Sequence, residues 1–138
     1  LSPGPKTPAD SGICIPLIQS FYSRIPILGI CLGHQCLAAA FGQGVKSAQQ
    51  LLFGKTAPVT VRNSLLFSGL SDSIDVARYH SLVIDAVPEG FQATSHDARD
   101  DIMSMEHKSL PLFGLQFHPE SFLMLNTGDH MIKNFLAL

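Results

Sequence analysis

Charge is scarce in this 138-residue sequence. Lys, Arg, Asp and Glu make up 14% of it, and the formal net charge is −2. No block of like charge is present. Nothing here resembles the electrostatic footprint of a nucleic-acid or anionic-membrane binder. No apolar run reaches the roughly 20 residues that a membrane-spanning helix needs. There are three cysteines, Cys14, Cys31 and Cys36, an odd number with no Cys-x-x-Cys pair. That excludes a disulfide framework and suits a reducing cytoplasm. Cys31-x-x-His34 lacks a second pair with zinc-like spacing, so no metal site is expected. Internal repeats and low-complexity tracts are absent too. Apolar residues, at 46%, are enough to build a core. The length fits a single domain over residues 1–138.

The chain is organised around Ile27-Leu28-Gly29-Ile30-Cys31-Leu32-Gly33-His34-Gln35. An apolar run rises to a cysteine held between two glycines, and a helix-forming run follows through Ala40. The pattern predicts strand, sharp turn, helix. Such an elbow exposes a nucleophile on a strained corner, with helix N–H groups close by. A helix N-terminus also favours the thiolate, the reactive form of cysteine. A lone cysteine is ordinarily a small buried hydrophobe. The flanking glycines and the change of period favour the nucleophile.

A nucleophile needs a base, and the base needs an orienting group. Leu112 to Phe117 reads as a short apolar strand running into His118-Pro119-Glu120. His118 falls at the C-terminal edge, where open α/β sheets place ligands. Glu120, two residues on, is close enough to turn back to the imidazole. Asp85 lies near His80, which makes His80 the rival base.

Gly29 to Gln35 together with Gln116-Phe117-His118-Pro119-Glu120-Ser121 resembles the class I, or triad, glutamine amidotransferase family. Leu1-Ser2-Pro3-Gly4-Pro5, Phe53-Gly54-Lys55-Thr56 and Arg78-Tyr79-His80-Ser81-Leu82 resemble its chorismate-synthase branch, the small subunits of anthranilate and aminodeoxychorismate synthases. The resemblance implies an α/β fold with an open, mostly parallel, flavodoxin-like sheet flanked by helices. It implies a strand-helix-strand portion ahead of Leu1, so the chain is expected to be N-terminally incomplete.

The resemblance further implies a glutaminase that needs no cofactor. Cys31, His118 and Glu120 would be its catalytic residues. Gly4, Pro5, Lys6, Leu32, Gln35, Ser81 and Leu82 would hold L-glutamine, with the N–H groups of Gly4 and Leu32 forming an oxyanion hole. The partner would be a chorismate-using synthase in a hetero-oligomer, and Lys55 would lie on the face toward it. Two places depart from the family. Its usual Gly-Pro-Gly is Gly4-Pro5-Lys6, so Lys6 is strained if that position requires φ > 0. The segment from Phe122 to Gly128 is one residue longer and more apolar than usual.

Three other readings remain open: a glutaminase for another acceptor such as a nucleotide synthetase, a non-catalytic interaction subunit, and an unrelated cysteine hydrolase. The remaining pattern predicts a helix within Ala9–Ser23 and strands and turns over Val45–Val61. Further strands are expected at Ile74–Ile84, Phe91–His96 and Ile102–His107, with an amphipathic helix over His130–Leu138.

Overall fold

The computed structural model describes residues 1–138. Helix α1 spans Cys14–Phe21, strand β1 Ile27–Ile30 and helix α2 Leu32–Ala40. Strands β2 (Val45–Val61), β3 (Ser73–Ile84), β4 (Phe91–Asp97), β5 (Ile102–His107) and β6 (Leu112–Leu115) follow. Helix α3, Leu125–Leu136, comes last. The six strands form one sheet in the order β1-β6-β5-β4-β2-β3.

The α/β class holds, but the mostly parallel sheet does not. Only β1 and β6 pair in parallel, with Ile27 opposite Leu112 and Ile30 opposite Leu115. The other four pairings are antiparallel. The reason is connection length. A parallel partner needs a crossover of a dozen or more residues, whereas β4, β5 and β6 are joined by short turns that permit only antiparallel neighbours.

Two apolar layers cover the sheet. Leu28, Val59, Val76, Phe113, Leu115 and Phe117 pack with Met124 and Met131 from the α3 side. Ile18, Ile27, Cys36, Leu37 and Leu112 pack beneath α1 and α2. Each such side chain contributes about 1.5–3 kcal/mol by leaving water. The alternation along β6 matters most for the site. Phe113, Leu115 and Phe117 face one layer, so Gly114 and Gln116 face α2.

Val45–Val61 is one 17-residue strand rather than strands and turns. A register shift between Phe53 and Lys55 accommodates Gly54, which adopts φ 65°. Helix α3 begins five residues before the His130 expected from its apolar spacing. The N-terminal helix is shorter than its pattern, with a 3-10 turn at Pro8–Asp10 preceding it.

Candidate active site

Cys31 stands at the elbow between β1 and α2. Its backbone lies outside the regions that L residues ordinarily adopt, at φ 53° and ψ −105°. For a non-glycine residue this is strain, held in place by the surrounding packing. Gly29 explains part of that packing: a Cβ there would run into the Gly33 carbonyl, so the strand and the helix can approach only without it. The Cys31 N–H donates to the Leu115 carbonyl at 2.8 Å, which fixes the elbow against β6. Burial pushes the Cys31 thiol up to about 11, with the Leu32 N–H acting in the opposite direction.

Next to Cys31 is a cavity of about 200 Å³. It brings together Gly4, Pro5, Lys6, Leu32, Gln35, Ser81 and Leu82, every residue expected to hold a substrate. Phe53, Tyr79 and His80 complete its wall. Lys6 adopts φ 69°, in the left-handed region, so of the two alternatives the strained one applies to it here.

His118 and Glu120 line a neighbouring depression with Ser121 and Phe122, and Tyr79 borders both hollows. His118 Nδ1 lies 2.7 Å from Glu120 Oε1. Its Nε2 is buried and unpartnered. The His118 N–H donates to the Ala77 carbonyl at 3.0 Å, and the Tyr79 ring meets the imidazole edge-on at 4.9 Å between centroids. Backbone and ring together fix the imidazole while leaving one nitrogen free. His118 belongs to the segment after β6 and Cys31 to the end of β1. Parallel pairing of these strands therefore carries both to the same sheet edge.

The rival base is otherwise engaged. Arg78 Nε donates to His80 Nε2 at 3.2 Å, and His80 Nδ1 lies 3.0 Å from the Leu82 carbonyl. An arginine can only donate, so the His80 proton sits on Nδ1. Burial, and then the Arg78 charge, push the His80 imidazole down to about 4. Arg78 is fully buried and paired to Asp97 at 2.7 Å. Asp97, not Asp85, is the carboxylate of this group. His34 is also fully buried, and burial with nearby His80 pushes it down to about 3. It packs where a Gly114 Cβ would otherwise sit, in keeping with a structural role.

A model of the class-I glutamine amidotransferase family matches residues 1–138. The chain belongs to this family. Among amidotransferase relatives, aminodeoxychorismate synthase component 2 of Escherichia coli K12 is 44% identical over 138 residues. The match covers 99% of this chain and 73% of that protein. Anthranilate synthase component 2 of Pseudomonas putida is 43% identical over 143 residues, covering 99% and 72%. The crystal structure of a Thermoplasma acidophilum protein, described as a proposed component of GMP synthase, superposes with a TM-score of 0.80 at 30% identity. It covers 89% of this chain, which in turn spans 62% of that one, less than two thirds.

Two members of the site carry no role that the sequence alone assigns. Arg78 and Gln116 sit within the recognised motifs, yet Arg78 pairs with Asp97 on β4, and Gln116 with Gln35 on α2 and Cys31 at the elbow. Gln116 does leave a signal: it is a polar residue in an apolar strand, and it is fully buried.

Proposed function

We propose that this amidotransferase hydrolyses the side-chain amide of L-glutamine and hands the ammonia to a chorismate-using synthase. The observation that carries the reading is that a strained cysteine and an imidazole with one free nitrogen follow the same ends of two parallel-paired strands. Its other nitrogen is held by Glu120 at 2.7 Å.

His118 Nε2 takes the Cys31 proton, and the thiolate attacks the amide carbon. The N–H groups of Gly4 and Leu32 meet the oxyanion, each contributing about 3–4 kcal/mol by comparison with other such donors. The imidazolium then protonates the nitrogen, the C–N bond breaks and ammonia leaves. A thioester remains on Cys31. Water adds to it as His118 accepts the water's proton, the C–S bond breaks, and glutamate leaves with the thiol restored. Glu120 keeps the imidazole in one orientation and stabilises its charged form.

Gln35 suits the substrate end. Its Nε2 is committed to the Leu82 carbonyl and to Gln116 Oε1, both at 3.1 Å. Its own Oε1 is thereby turned away from those acceptors and left for a donor on the ligand. The names of the relatives and the exposed apolar groups at the site support the synthase partner. Phe53 borders the cavity at 62% exposure, and Phe122 borders the His118 depression at 75%. A cytoplasmic setting accords with three free cysteines.

The test is Cys31→Ser in the assembled synthase. Glutamine-dependent amination of chorismate should be lost while amination with added ammonia persists. Full glutamine use by the Ser variant would overturn the mechanism.

A further inference from the structure

We propose that Gln116 is the hydrogen-bond donor that poises the Cys31 sulfur as a thiolate, and that its amide is held in that sense by a relay from the Leu82 carbonyl through Gln35. The inference rests on Cys31 being the nucleophile.

The relay begins at a group that can only accept. The Leu82 carbonyl receives Gln35 Nε2 at 3.1 Å. Gln35 must therefore present its NH2 end there, since its oxygen would face another oxygen. The second hydrogen of that same nitrogen goes to Gln116 Oε1 at 3.1 Å. Gln116 must then turn its own NH2 end the other way. That end points at Cys31 Sγ, 3.8 Å distant, a long contact of the kind sulfur makes. The sense of both amides is thus dictated from one backbone oxygen.

His80 reinforces the starting point. Its Nδ1–H also addresses the Leu82 carbonyl, at 3.0 Å, because Arg78 occupies its other nitrogen. The path has little exposure: Gln116 and Arg78 are fully buried, and Gln35 and His80, which line the cavity, nearly so. Gln116, a buried amide with both ends engaged, has no cheap alternative orientation.

The chemical consequence follows from what sulfur can do. A thiol can donate or accept, whereas a thiolate only accepts. A fixed donor therefore favours the thiolate, against the burial that disfavours it. The bond should shorten as the sulfur gains charge. The path starts at the backbone expected to grip the substrate's amino-acid end, so a disturbance there is felt at the sulfur.

The test is the pH dependence of Cys31 alkylation by iodoacetamide in the full chain. Peptide mass separates Cys31 from Cys14 and Cys36. In Gln116→Met the midpoint should rise by about one pH unit, read as about tenfold slower alkylation near neutrality. Gln116→Glu should raise it further, because a carboxylate replaces the donor. Gln35→Met should shift it in the same direction. Combined with Gln116→Met it should add nothing, since both cut one path.

An unmoved midpoint in the folded Gln116 variants would overturn the proposal, and additivity in the double variant would overturn the relay. If Gln116→Met fails to fold, Gln116→Glu, of equal size, carries the test. The readout is independent of turnover. A moved midpoint without glutamine hydrolysis by the wild type would sink the glutaminase reading alone. Hydrolysis with an unmoved midpoint would sink this one.

Discussion

Lowering the pH should destabilise this protein through two histidines. His34 and His80 are buried as neutral rings, with their protonation pushed down from 6.5 to about 3 and about 4. An unfolded chain binds these protons at ordinary pH, whereas the folded chain resists them. The stability concerned is complete above about pH 6.5. It is lost progressively as pH falls from there toward the folded values. At pH 5 each histidine accounts for about 2 kcal/mol, so the pair costs about 4 kcal/mol. That is a large share of a typical domain stability of about 5–15 kcal/mol. Urea unfolding followed by circular dichroism measures it. With a slope of about 2 kcal/mol per molar, the midpoint should fall by about 2 M between pH 7.5 and pH 5. His80→Asn keeps an acceptor for Arg78 and should remove about half of that drop. A midpoint that moves by less than about 0.5 M, or a drop that His80→Asn leaves intact, would refute the reasoning.

Two further outcomes concern strain and charge. Lys6→Gly relieves about 1–2 kcal/mol of left-handed strain and gives back about 0.5–1 kcal/mol in chain entropy. The net gain is about 0–1.5 kcal/mol, so a calorimetric melting temperature should rise by up to about 4 °C, and a lower value would contradict the strain at φ 69°. Asp97→Ala strands the fully buried Arg78 charge and should cost about 3–5 kcal/mol in denaturant unfolding. Adding Arg78→Met should recover part of the loss, and a loss below about 1 kcal/mol for the single variant would contradict the pairing.

The elbow is legible in the sequence because glycine spacing and a change of period are local signals. Gly29, Cys31 and the helix from Leu32 need only neighbouring residues to be recognised. The His118–Glu120 contact spans two residues and is legible for the same reason. Strand direction is not. The apolar runs at Ile27–Ile30 and Leu112–Leu115 look alike, but so would any buried strand, and which neighbour pairs in parallel is settled by the connections. The Arg78–Asp97 pair is invisible there because it joins two strands across 19 residues. Lys6 is the intermediate case. Its alternatives can be stated from sequence, and the backbone angle chooses between them. Gln116 carries a signal in its polarity, but its partners are known only from the fold.

The site's two halves are held together by the single parallel pair in the sheet. Cys31 and Gln116, which touch across it, are 85 residues apart in the chain. Contacts of such separation close a long loop, and their entropic cost is met before they return any stabilisation. Hairpins among β2 to β6 need no such closure. The β2–β3 and β4–β5–β6 hairpins are therefore the natural early structures in folding, and the nucleophile corner joins them afterwards. Competence thus becomes a property of the completed chain: the parts most responsible for chemistry are the last to be committed. A partly folded protein holds its cysteine apart from the groups that would make it reactive.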